Sequence, residues 1–174
     1  DRIASLGSTQ VQSFNSIAAL RLRSGTTITN AAKTLGYYSA GDGGGNSFYW
    51  DSTSTATDNA GTVIKPTAVS GAGRWLAVDT SYINVKQFGA VGDGVADDTA
   101  EIQLALTSSL SGTVVSFPAS SVGYKISNNL NVPLGVNING GGKVLRTHGL
   151  SVSNYAFTLN GSNTISGLVY DGGF

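Results

Sequence analysis

The sequence predicts a mainly β chain: a small mixed α/β module, then a β-solenoid whose first coil is closed by a helix. Three observations carry this. Residues 83–106, INVKQFGAVGDGVADDTAEIQLAL, read as a short apolar strand, a Gly/Asp turn and a capped helix. After that helix come only short β-type runs separated by Asn-Gly and Gly-Gly, with no second helical pattern. The composition is that of a solenoid: 11% charged, 24 glycines, and polar positions filled by Ser, Thr and Asn.

In chain order, residues 1–13 form a polar lead, a strand or a tether. Residues 14–79 form the small module. It opens with a short helix, Ser16 as N-cap and Ile17 and Leu20 as its apolar face. Four strands follow, at 35–39, 47–51, 62–65 and 74–78, each bounded by Gly, Asp, Asn or Pro. Residues 80–174 are the solenoid. Ile83, Val85 and Phe88 read as its first strand, and Gly89 to Gly94 as the turn. A helix over about 98–108 follows, with Asp98 and Glu101 spaced for reciprocal capping and Ile102, Ala105 and Leu106 on one face. A solenoid needs such a cap because its first coil has an apolar end and a free strand edge. Ile138-Asn139-Gly140 and Leu159-Asn160-Gly161 stand 21 positions apart, as do Val144 and Ile165. That spacing predicts coils of roughly 20–25 residues.

Composition excludes several classes. Ten basic and ten acidic residues leave no net charge. The densest basic cluster is Arg21 and Arg23, so nothing marks a nucleic-acid surface. Without cysteine there is neither a disulfide framework nor a thiolate metal site. No apolar run is long enough to cross a membrane as a helix. The absence of Met and a final turn, Asp171 to Phe174, predict a piece of a longer chain.

The run Gln87-Phe88-Gly89-Ala90-Val91-Gly92-Asp93-Gly94, then Asp97-Asp98-Thr99 and a helix, resembles the opening segment of the pectate-lyase-like superfamily. That resemblance implies a right-handed parallel β-helix, here truncated. Upstream, Gly36-Tyr37-Tyr38-Ser39-Ala40-Gly41-Asp42-Gly43-Gly44-Gly45, Phe48-Tyr49-Trp50-Asp51, Asp58-Asn59-Ala60-Gly61 and Gly73-Arg74-Trp75 resemble the small N-terminal module of bacteriophage tailspikes. The order of the two implies a homotrimeric virion protein. Its N-terminal part attaches to other tail or baseplate proteins, and its β-helix binds and degrades a bacterial capsular or O-antigen polysaccharide. By this resemblance the chain holds the particle-proximal, trimerising part without the catalytic residues. The alternatives are a secreted pectate-lyase-like or polygalacturonase-like bacterial enzyme, and a non-catalytic adhesin.

No catalytic, cofactor or metal residue is assigned from the sequence. Gly41–Gly45 lacks the Lys and Ser/Thr of a phosphate cradle and reads as a turn. Asp42, Asp51 and Asp58 would have to converge to hold calcium, and their spacing matches no calcium loop. Asp93, Asp97 and Asp98 could supply a glycosidase carboxylate pair, but as turn and cap residues they read as structural. His148-Gly149 lacks the acids that accompany a polygalacturonase histidine, and Asp171 has no visible partner. Tyr37, Tyr38, Phe48, Tyr49, Trp50 and Trp75 read as core or inter-subunit contact rather than a sugar platform.

Overall fold

The computed structural model describes residues 11–146 and 156–171. The chain divides into two compact units, Asp1–Val78 and Asp79–Phe174. His148 lies outside the described residues.

Unit 1 contains β1 (Val11–Phe14), α1 (Ile17–Arg21), β2 (Ala31–Thr34), β3 (Asn46–Asp51), β4 (Val63–Ile64) and β5 (Arg74–Ala77). The strands form one sheet in the order β1-β2-β3-β5-β4. β1 and β2 are parallel, with α1 in the crossover between them, and the remaining pairs are antiparallel. Ser16 caps α1 by accepting from the Ala19 N–H at 3.2 Å. The helix buries Ile17 and Leu20 in one core with Ala32, Phe48, Ile64, Trp75 and Ala77. The Trp75 indole N–H, which burial would leave unsatisfied, donates to the Arg23 carbonyl at 2.8 Å.

The strand expected at 35–39 is absent; β2 ends at Thr34 and a bend follows. The Asp42 carboxylate accepts from the N–H groups of Tyr37, Tyr38, Ser39 and Gly44. Those donors are satisfied inside a loop and do not join a ladder. Gly36 closes the bend: a Cβ there would lie 1.7 Å from the Ser39 oxygen.

Unit 2 contains β6 (Tyr82–Asn84), a 3-10 helix (Val85–Phe88), β7 (Asp93–Asp97), α2 (Thr99–Thr107), β8 (Val114–Phe117), β9 (Gly123–Ile126) and β10 (Leu130–Val132). It continues with β11 (Asn137–Gly140), β12 (Lys143–Arg146), β13 (Phe157–Leu159), β14 (Ile165–Ser166) and β15 (Val169–Asp171). All pairings are parallel. One sheet is β6-β8-β11-β14, a second is β7-β9-β12-β15, and a third is β10-β13. The chain visits the three in turn, so each circuit is one coil of a parallel β-helix. In the first coil α2 stands where the third strand would be. Ile102, Ala105 and Leu106 enter the same core as Ile83, Val115, Phe117, Tyr124, Ile126 and Ile138. Among the described residues no helix is long and apolar enough to cross a membrane.

Three local expectations are corrected. The strand beginning at Ile83 ends at Asn84 because Val85–Phe88 coils into the 3-10 helix. The reciprocal capping box expected at Asp98 and Glu101 occurs here instead. The Asn84 side chain accepts from the Lys86 N–H at 2.9 Å, and the Gln87 side chain from the Asn84 N–H at 3.0 Å. Asp98 does sit at the α2 N-cap position but makes no side-chain cap bond. Its φ of −89° and ψ of 6° lie outside the extended region that aims a cap into the first turn. The 21-residue offset also fails. Ile138 pairs with Ile165, 27 positions on, and Val144 with Tyr170, 26 positions on. One coil earlier, Val115 pairs with Ile138 and Tyr124 with Val144, at 23 and 20 positions. The connection from β12 to β13 is longer than that from β9 to β10, so one Asn-Gly recurs at a different place in the coil.

Candidate functional site

The carboxylates singled out at the start of the solenoid are all occupied. Asp93 accepts from the N–H groups of Val95 and Ala96, both at 2.8 Å, and shapes the start of β7. Asp97 accepts from the Thr99 N–H and from the hydroxyls of Thr99 and Ser127, tying the first coil to the next. Burial pushes the Asp97 carboxyl up, but the hydrogen bonds from Ser127 and Thr99 together hold it below the usual carboxylate range. Asp98 is 1% exposed and accepts from Val91 at 2.6 Å and Gly92 at 3.1 Å. For Asp98 burial prevails: its carboxyl is pushed up, with the two N–H bonds only partly offsetting. Burial likewise raises the Tyr124 hydroxyl, and the Asp98 charge adds to it. A catalytic pair needs two carboxyls open to one substrate bond. Here one is sealed and the others are committed to backbone and hydroxyl donors.

Beside Asp97 lies an open depression of about 600 Å³ lined by Thr99, Glu101, Gln103, Ser127 and Asn131, among others. Gln103 is the informative residue. Its side-chain oxygen accepts from the Asn131 N–H at 2.8 Å, and its side-chain NH₂ donates to the Asn131 carbonyl at 3.0 Å. One glutamine on α2 thus makes both bonds that a neighbouring strand would make to β10. Sequence reasoning missed it. Its only trace is that Asp97 to Lys125, Thr99 to Ser127 and Gln103 to Asn131 share one offset of 28.

In unit 1 the three acids weighed for calcium each serve a separate loop. Asp42 organises the bend after β2, and its four N–H donors outweigh burial and hold its carboxyl low. Asp51 caps the turn at Thr53 and Ser54. Asp58 receives both terminal nitrogens of Arg21 and the N–H groups of Ala60 and Lys65. Burial pushes the Asp58 carboxyl up, but the Arg21 bond and those N–H groups bring it below the ordinary range. Among the described residues no three His, Cys, Asp or Glu side chains could share a metal ion.

The aromatics divide. Phe48 and Trp75 are buried, and Trp50 meets Trp75 edge-on at 5.2 Å. Tyr49 and Tyr38 are exposed by 46% and 61%. Asp171 pairs with Lys143 at 2.7 Å, a partner the sequence could not show. Arg74 is buried among carbonyls, donating to Ala56, Gly71 and Gly73, and ties two loops to β5.

Residues 13–80 match the phage tail protein small four-stranded beta-sheet domain. Residues 82–171, 90 of the 174, match the rhamnogalacturonase A/epimerase, pectate-lyase-like family. No curated protein matches the chain. Among solved structures it is similar to tailspike protein 2 of an Escherichia coli O157:H7 bacteriophage, with 24% identity and a TM-score of 0.65, covering 90% of this chain and 20% of that one. It is similar to a tailspike of Acinetobacter baumannii bacteriophage Fri1, a capsular polysaccharide depolymerase, with 22% identity and a TM-score of 0.62, covering 94% and 38%. A Pantoea stewartii glycan biofilm modifying enzyme with a tailspike-like parallel β-helix matches with 20% identity and a TM-score of 0.67, covering 94% and 26%. The chain spans about a fifth to two-fifths of these proteins.

Proposed function

This chain belongs to the rhamnogalacturonase A/epimerase, pectate-lyase-like family, and we propose that it is the N-terminal part of a phage tailspike. In this reading residues 14–79 are the particle-proximal module, which attaches to tail or baseplate proteins. Residues 80–174 begin the β-helix that binds and degrades a bacterial surface polysaccharide. Three copies assemble together. The observation that carries the reading is the order of parts in one chain: a phage-tail β-sheet domain directly ahead of a capped parallel β-helix.

The job of this part is mechanical. Asp42, Asp58, Asp97 and Asp98 each fix a turn or a coil junction, which supports a connecting role without catalytic residues here. The sugar-cleaving groups belong to the greater part of the β-helix that longer relatives possess.

Likeness to the Pantoea stewartii enzyme over 94% of this chain favours a second reading, a bacterial glycan-modifying enzyme. Immunogold labelling with antibody against residues 14–79 separates the two. Label on phage tails supports the tailspike. Label confined to bacterial cells or their secretions overturns it. Incubated with capsular polysaccharide, the 174-residue chain should leave polymer length unchanged. Shortened polymer would place the active groups in this part.

A further inference from the structure

The sequence holds two Asn-Gly pairs, Asn139-Gly140 and Asn160-Gly161. An asparagine before glycine loses its side-chain amide readily, because glycine has no Cβ to shield its backbone nitrogen. That nitrogen bonds to the asparagine Cγ, the C–NH₂ bond breaks, and ammonia leaves with the nitrogen's proton. Water then opens the five-membered succinimide at one of its two C–N bonds, giving aspartate or isoaspartate. No enzyme, metal or oxidant takes part. The reaction does require the asparagine ψ to leave the extended range, so that nitrogen and Cγ can meet.

The two pairs sit in opposite situations. Both asparagines are exposed, so access to water does not separate them. Their backbones do. Asn139 and Gly140 lie inside β11, with Asn139 in register with Ser116 of β8 and Ser166 of β14, and Gly140 with Phe117. A Cβ on Gly140 would lie 2.1 Å from the Phe117 oxygen, so the chain has no room to turn there. By contrast, the pairing of β13 with β10 stops at Leu159 and Val132. Asn160 and Gly161 lie just past it, Gly161 with a φ of 121°. Among the described residues the Gly161 N–H has no hydrogen-bond acceptor.

The Asn160 amide holds two coils together. Its side-chain NH₂ donates to the Val132 carbonyl at 3.0 Å, and its backbone N–H to the same oxygen at 3.3 Å. Asn163 continues the seam, donating to the carbonyls of Pro133 and Val136, both at 2.7 Å. The Thr164 N–H donates to the Asn137 side chain at 2.9 Å. A carboxylate at 160 has no proton to donate and sets an acceptor against the Val132 carbonyl. Isoaspartate also adds a carbon to the backbone between β13 and β14.

We propose that Asn160 is a self-modification site. It deamidates through Gly161 in the folded chain, and the product unlatches the 160–164 turn from the preceding coil, while the β11 ladder protects Asn139.

The test incubates the 174-residue chain in mildly alkaline buffer, folded and in urea. The chain carries no net charge, so each conversion adds one negative charge and separates on anion exchange. Peptide mass spectrometry locates the added mass unit. The folded chain should yield one acidic species, altered at Asn160 alone, while in urea both asparagines should react at similar rates. Asn160→Gln keeps the NH₂ group and closes its ring far more slowly, so it should lose that species. Equal rates at 139 and 160 in the folded chain, reaction only in urea, or an acidic species that survives Asn160→Gln overturns the site. Hydrogen exchange on Asn160→Asp reads the consequence. The Ile138 amide, which donates to the Thr164 carbonyl at 2.8 Å, should exchange faster than in the parent. The Asn137 amide, which donates to the Thr113 carbonyl at 2.9 Å, should not. Unchanged exchange at Ile138 overturns the unlatching.

Discussion

The two units solve the same problem, covering apolar surface, in opposite ways. Unit 1 completes its core within about 65 residues: α1 and the bend organised by Asp42 close one face of the sheet, and Trp75 reaches 0% exposure. Unit 2 builds its core by stacking. Val115, Tyr124 and Ile138 in its early coils are 0 to 1% exposed, whereas Ile165 and Tyr170, their continuations in the last described coil, are 39% and 49% exposed. A packed sheet is finished by its own residues, while a coil is finished only by its neighbour. Damage should therefore remain local in unit 1 and spread along the stack in unit 2.

The largest blow to this comparison is Trp75→Ala. It removes the biggest fully buried side chain of unit 1 and should cost about 3–5 kcal/mol. Hydrogen exchange should show β2 to β5 losing protection while β8 to β12 keep theirs. Loss of protection in both units would mean they fold as one.

Gly140→Ala attacks the stack. A Cβ there would meet the Phe117 backbone oxygen at 2.1 Å, so two coils would have to separate. The expected cost is about 1–3 kcal/mol, with weakened exchange protection in β8, β11 and β14. An effect confined to β11 would argue against cooperative stacking.

Gln103→Ala removes both bonds to Asn131 and should cost about 1–2 kcal/mol. The specific readout is faster exchange of the Asn131 amide with the helical amides of α2 unchanged.

The smallest effect sets one carboxyl of unit 2 apart by acid. In unit 1 the Asp42 and Asp58 carboxyls are held below the ordinary range. Their stabilisation is present above the ordinary carboxylate value and is lost as pH falls through the depressed folded values. Asp98 in unit 2 has the opposite sign: its raised folded value means the proton is favoured in the fold, so its penalty is relieved as pH falls. Asp98→Asn removes that relief. The stability of the variant relative to the parent should therefore drop as pH falls from 7 towards the ordinary carboxylate range (about 4), read from urea midpoints. An unchanged difference across that range would mean Asp98 titrates normally.

Much of the architecture was legible because it rests on local rules. Ser16, the Ile102/Ala105/Leu106 face and strands 47–51 and 74–78 follow from caps, periodicity and flanking turns. What failed depended on distant partners. The strand at 35–39 was lost to one carboxylate, Asp42, that sequence treats as an ordinary turn residue. The 21-residue offset failed because Asn-Gly marks a turn without saying which turn of the coil it is, although the coil from β8 and β9 to β11 and β12, at 23 and 20 positions, has the expected length. The acids at 93–98 read as turn and cap residues, yet Asp98 serves Val91 and Gly92 behind it and not the helix ahead. The Lys143–Asp171 pair and the Gln103–Asn131 contact each join residues 28 positions apart on successive coils, which no local pattern encodes.

The glutamine on α2 also gives the stack a direction. With β10 already paired on that side, a newly made strand can add to this lane only at the opposite side. Ribosomal synthesis delivers residues in the same sense, first coil first. Each circuit can therefore anneal as it emerges, on a template finished moments before, and a chain arriving from the wrong side finds that lane taken.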